Sequence, residues 1–261
     1  MTRASQGPSR GCWECATPAG SAAEGTVGDD EPVTALPAAG GGRWVVLDPE
    51  RLPGWLARFG ERHGPAIFAA GETEVVVTAA DGARAECRVP FPPLRVDPTA
   101  PYGGLVAHAL ADRRVGVLLV RLGGHAAGVF AGTRLVASKV GARRVQGRSA
   151  AGGWSQQRFA RRREGQARTA FAAAADAAAA TLVPAVAGLD AVVLGGDRRA
   201  LDSVLADPRL AALRPLVVEP RLDVPDPRLR VLEQVPRQFR AVRVRVVEPP
   251  RPATPQVEPG P

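Results

Sequence analysis

The chain has 261 residues, 45% hydrophobic and 23% charged, enough for one or two domains with a real core. Its net charge is +8, and of 34 Lys plus Arg all but Lys139 are arginine, whose planar fork suits phosphate, so a nucleic-acid partner is expected. Three cysteines exclude a disulfide scaffold, the first thirty residues hold no apolar stretch behind a basic start, and no run approaches the ~18 uninterrupted apolar residues of a membrane span, which predicts a cytoplasmic protein without a membrane partner.

Residues 1–42 are Gly, Ala, Ser, Pro and Thr with scattered acids, too little apolar surface to offset ordering entropy, and read as a disordered arm. Residues 43–100 read as a small α+β lead-in. It opens with a strand at 44–47 and a helix over about 49–63, on which Leu52, Trp55, Leu56 and Phe59 recur at helical spacing. A hairpin follows, 74–78 and 84–89, around Asp81-Gly82. The segment FPPLRVDPTAPYGG then breaks all regularity.

Residues 101–247 read as a second block. A short helix over 104–112 leads to three strands, 115–122, 126–130 and 133–140, punctuated by Gly123-Gly124 and Gly132 as an antiparallel meander. An Arg- and Gly-rich segment, 141–153, precedes a long helical pattern over 155–183 that stops at Pro184. Then come a buried strand (189–194), a helix (198–206) with Asp197 as its N-cap, a strand (216–218) and a last strand (241–247). Three antiparallel strands, a long helix and alternating strand and helix predict a ribonuclease-H-like α/β layer. Residues 248–261 read as a Pro-rich tail.

Most of the unusual chemistry lies in GARRVQGRSAAGGWSQQRFARRREGQAR, residues 141–168. At 100° per residue, Arg158, Arg161, Arg162 and Arg168 share roughly a 120° arc of the helix, and Ala160, Ala167, Phe171, Ala174, Ala178 and Leu182 form the opposite, apolar stripe. One face is built to dock and the other to meet anions. Gly152-Gly153 allows close backbone approach to a ligand, and Trp154 offers a stacking surface.

The order of strand, basic Gly-containing loop, Gly-Gly-x-x-Gln and basic helix resembles the catalytic loop in the middle domain of eukaryotic and archaeal peptide-chain release factors. It is closer still to the actinobacterial release-factor-like peptidyl-tRNA hydrolases, relatives of the eukaryotic factors that free stalled nascent chains during ribosome quality control. VQGRSAAGGWSQQRFARRREGQA, residues 145–167, is the specific part, and the resemblance spans about 105–247 with a weaker likeness in 43–100. Trp154 and Ser155 stand between Gly153 and Gln156, where termination factors have a bare Gly-Gly-Gln, and no stop-codon-reading domain is evident, so codon-dependent termination is not expected.

The resemblance implies hydrolysis of the ester that joins a nascent peptide to tRNA, on the large subunit of a stalled ribosome, by a monomer without a metal or cofactor. The ester is already activated, so an oriented water and donors to the oxyanion suffice. Gln156 would hold the water through its amide and could not act as a general base; Gln157 is the neighbouring rival. Gly152 and Gly153 would fit the loop into a crowded cavity. Arg143, Arg144, Arg148, Arg158, Arg161, Arg162 and Arg163, with Trp154, would meet RNA.

Two other readings compete. A tRNA endonuclease cutting near the acceptor end would, if it used two metals, want carboxylates on its first core strand, and 115–120 has none. A non-catalytic RNA-binding ribosome factor would need only the basic helix. Cys12-x-x-Cys15 has no second pair to complete a zinc site, and Cys87 is far away in sequence. His63, His108 and His125 are scattered, and His125, in a Gly-Gly-His turn, is read as structural.

Overall fold

The alternating strand Arg43–Leu47 (β2) and the amphipathic helix Leu52–His63 (α1) set the first half of the molecule. Val45, Leu47, Leu56 and Phe59 close on one core. A computed structural model describes residues 36–38, 41–142 and 154–249, with 36, 154–160 and 163 described by backbone alone, all within one compact unit. Leu36–Pro37 (β1) pairs with β2, so part of the expected arm belongs to the sheet. Beyond α1 come Ala66–Ala70 (β3), Glu74–Ala79 (β4) and Arg84–Arg88 (β5), then the short helix Leu105–Leu110 (α2). The β4–β5 hairpin turns at Asp81-Gly82 as the sequence predicts. β3 does not stand out in the sequence because AIFAA is short and lacks alternation.

The second half opens with the meander Arg114–Arg121 (β6), Gly124–Ala131 (β7) and Arg134–Ala142 (β8). The long helix Trp154–Leu182 (α3) follows and ends two residues before Pro184. Ala191–Gly196 (β9), the helix Arg198–Leu205 (α4) and Val217–Leu222 (β10) continue the chain. Asp197 caps α4, its carboxylate accepting from the Ala200 N–H at 2.9 Å. The sheet order is β10-β9-β6-β7-β8, with β9 and β10 parallel to β6 and the meander antiparallel. Both faces are covered. Leu118, Val120 and Val129 pack beneath α3 and α4, while Val117, Leu119 and Phe130 pack against the helices Leu229–Gln234 (α5) and Pro236–Phe239 (α6).

The strand expected at 241–247 forms as Val242–Val247 (β11), but it does not extend the second sheet. It lies between β2 and β5, giving the first sheet the order β1-β2-β11-β5-β4-β3. The reason is the pattern VRVRVV: Val242, Val244 and Val246 are buried and the arginines between them need an open face, which a sheet covered on both sides does not offer.

Residues 164–188 are long and apolar enough, by length and composition, to cross a membrane, although Glu164, Arg168 and Asp176 interrupt the apolar run. Here the segment is a core helix followed by a 3₁₀ turn. Its alanines bring it close to the second sheet, with Ala174, Ala178 and Leu182 fully buried.

Candidate functional site

Register defines one end of the second sheet. Arg121 pairs with Gly124, Gly124 with Ala142, Val120 with Gly196 and Gly195 with Leu222, so the β6–β7 turn, the end of β8 and the carboxyl ends of β9 and β10 lie together. This is where an open α/β sheet commonly binds ligands. β8 ends here at Ala142, and the next described residue is Trp154, the first of α3. Arg143, Arg144, Arg148, Gly152 and Gly153 lie outside the described residues, as do Cys12 and Cys15.

Gln156 and Gln157 belong to the first turn of α3 by backbone, as the helical pattern over 155–183 predicts, directly after the Gly-rich segment. That matters chemically. The first four N–H groups of a helix have no intrahelical acceptor and sit at its positive end, and no acidic residue occupies the first turn of α3 to neutralise it. Trp154 begins the helix, and Arg158 and Arg163 follow within three turns.

Burial along α3 divides it in two. Arg161, Arg162, Glu164, Arg168 and Thr169 are exposed, and among the described side chains of α3 the first buried one is Ala170. At 1.5 Å per residue, the 16 residues from Trp154 to Ala170 span about 24 Å of helix before that point. Arg161, Arg162 and Arg168 make no ion pair among the described residues, so their donors face solvent. The predicted stripe is present in Ala174, Ala178 and Leu182, while Ala167 and Phe171 are half-buried. A groove of about 400 Å³ flanks this stretch, lined by Arg168, Phe171, Ser203 and Asp207 among others. A hydrogen bond from the Arg209 guanidinium, then one from the Arg209 N–H, holds the Asp207 carboxyl at about 2.

His125 lies inside β7, not in the turn the sequence suggests, and is buried directly opposite Gly141. A Cβ at Gly141 would come within 2.5 Å of its imidazole, so only glycine lets β8 pass over the ring. Gly196 is held as tightly: its φ is +102°, and a Cβ there would lie 2.2 Å from the Val120 carbonyl oxygen. Arg121, whose guanidinium donates to the Val224 carbonyl, and the exposed Arg198 and Arg199 join the same end of the sheet. Sequence spacing does not reveal them, because they are adjacent only through β9's parallel pairing. Elsewhere Cys87 is buried, which pushes its thiol up to about 12 and makes it a poor nucleophile. Among the described residues no three His, Cys, Asp or Glu side chains converge as a metal site.

Residues 113–245, about half of the chain, match the family described as Actinobacteria/chloroflexi VLRF1 release factor. Among solved structures, the chain is similar to the crystal structure of an archaeal translation termination factor, aRF1, at 17% identity over 62% of this chain and 51% of that one, with a TM-score of 0.35. It is similar to a second structure, described as an archaeal protein, at 18% identity with the same coverages and TM-score. The chain thus spans about half the length of these archaeal chains. No curated protein matches the sequence.

Proposed function

The chain belongs to the Actinobacteria/chloroflexi VLRF1 release factor family, and from that membership we propose that it is a peptidyl-tRNA hydrolase that releases nascent chains on stalled ribosomal complexes. One observation carries the reading: the family match spans Gly152-Gly153-Trp154-Ser155-Gln156, at the start of a basic helix on which Arg161, Arg162 and Arg168 are exposed. A catalytic element that must reach into a crowded RNA cavity needs that reach and that charge. The ribonuclease-H-like strand order of the second sheet is consistent with it.

The chemistry is ester hydrolysis. Gln156 holds the attacking water through its side-chain amide; the amide is not basic enough to remove the proton, which leaves through solvent or the tRNA ribose. As the carbonyl oxygen gains negative charge, N–H groups at the start of α3 stabilise it, aided by the uncompensated positive end of the helix. The tetrahedral intermediate collapses by expelling the ribose oxygen, giving free peptide and intact tRNA. Arg143, Arg144, Arg148, Arg158, Arg161, Arg162 and Arg163 grip phosphates of ribosomal RNA and the tRNA acceptor end without reading sequence. The protein works in the cytoplasm as a monomer on the large subunit.

The test is a product assay on purified peptidyl-tRNA bound to large subunits. Free peptide with intact tRNA is the expected result. Peptide bearing a nucleotide stub would replace the reading with tRNA cleavage, and no product, with binding retained, would replace it with a non-catalytic ribosome factor.

A further inference from the structure

The first sheet is covered on one side only. Strand alternation sends Val45, Val75, Cys87 and Val244 into the core with α1 and α2. The opposite face presents Trp44, Arg84, Glu86, Arg88, Arg243 and Arg245, with Glu74 at its margin. Its Arg88–Arg243 end borders a small cleft lined also by Glu219 and Pro220 of β10 and by Gln238 and Phe239 of α6. Four arginines against two glutamates leave it at +2.

The arrangement of those charges is informative. Glu86 is held between Arg84 and Arg245, at 3.2 and 3.1 Å. Arg88, more than half exposed, lies 3.4 Å from Glu74. Arg243 has no carboxylate partner among the described residues; its guanidinium lies over the Trp44 ring, 5.2 Å from the centroid. In the register of β11 against β5, Arg243 stands directly opposite Arg88. Like charges at that position oppose strand pairing, yet they occupy two inner strands of the sheet. An anion between the two forks converts the repulsion into two charge-assisted contacts.

Beside that pair, the Trp44–Arg243 stack offers a flat π surface. Trp44 on β2 and Arg88 on β5 are two strands and two residues apart, about 12 Å, a span one or two nucleotides cover. A base whose face is free can lie on such a stack, and a duplex keeps its base faces hidden. We propose that the open face of the first sheet binds single-stranded RNA, with Arg88 and Arg243 gripping a backbone phosphate and a base laid on the Trp44–Arg243 stack. The surface is separate from α3 and from the chemistry assigned to Gln156, so it stands if that assignment fails.

The experiment is fluorescence anisotropy of the full chain with a labelled 15-nucleotide single-stranded RNA and a 15-base-pair RNA duplex. Three variants are compared with wild type: Arg88→Gln/Arg243→Gln, Trp44→Leu and, as a reference for the other basic surface, Arg161→Gln/Arg162→Gln. The sheet-face pair should weaken single-strand binding at least tenfold, lower its log-affinity against log-salt slope by about one unit, and change duplex binding less than threefold. Trp44→Leu should weaken single-strand binding about tenfold, and the α3 variant should weaken both RNAs. Arg88→Gln/Arg243→Gln removes a like-charge repulsion together with the exposed Arg88–Glu74 ion pair and the Arg243–Trp44 stack, opposing terms that should leave its circular dichroism and melting temperature close to those of wild type, which separates lost binding from lost folding. Unchanged single-strand affinity in the sheet-face variant, or equal loss on both RNAs, would overturn the proposal.

Discussion

The two sheets dispose of charge in opposite ways. The first is an antiparallel sheet with one face dry and one wet, so its strands alternate, and arginine and glutamate share the wet face in pairs worth about 0–1 kcal/mol each. The second has helices on both faces. Its inner strands are apolar almost throughout, as in VGVLLV and AVVL, and carry charge only at their ends. The cations of the second half therefore fall on its helices, loops and edge strand, and on α3 the exposed Arg161, Arg162 and Arg168 make no ion pair among the described residues. A covered sheet confines its chemistry to its edge; an open one spreads it across a surface.

The largest break should come from α3's seat on the second sheet. Leu182→Ala removes a fully buried side chain packed under β6 and β9 and should cost about 2–5 kcal/mol of unfolding free energy, read from the midpoint in urea. Next is the chemistry at the other end of the same helix. Gln156→Ala should lower single-turnover peptide release roughly 10- to 1000-fold with ribosome binding intact, Gln157→Ala should cost much less, and Gly153→Val should impair release through backbone geometry. Equal release by wild type and Gln156→Ala would remove Gln156 from the mechanism. Since α3 is helical from Trp154, circular dichroism of Gln156→Ala should match wild type.

A smaller effect probes the cations between those ends. Neutralising Arg161 and Arg162 together should flatten the slope of log affinity against log salt for ribosome binding by about one to two units, with catalysis on saturated complexes unaltered. An unchanged slope would mean that this face meets no phosphate.

His108 joins the comparison because it lies in the segment that links the two sheets. Its imidazole donates to the Pro90 carbonyl at 2.8 Å, and burial, ahead of the Arg113 charge, lowers its pKa. With the folded value below the unfolded one, the unfolded chain binds the extra proton first. The contribution is therefore complete above about pH 6.5 and is lost as pH falls through the folded value. His108→Gln should flatten the pH dependence of the melting temperature between 7 and 5. The smallest effect is expected from removing residues 1–35, which should leave melting temperature and release within error. Removing 1–42 should destabilise the fold, because Arg245 donates to the Gly41 carbonyl and β1 pairs with β2.

The sequence by itself determined the local elements and the motif. Periodicity placed α1, the β4–β5 hairpin, the three-strand meander and α3 within three residues, because each is specified by its own alternation, glycines or Pro184. The segment 145–167 carries the family resemblance in its residues alone, within the span the family match covers. Tertiary structure decided what depends on distant partners: that β11 crosses back to sit between β2 and β5, that Gly141 yields to His125 from a neighbouring strand, that Arg121 and Arg198 share one sheet end, and that Arg88 faces Arg243. Local spacing encodes which face of an element is apolar, but not which other apolar face will cover it. That choice is made by long-range burial, and residues some 150 positions apart become neighbours only once it is made.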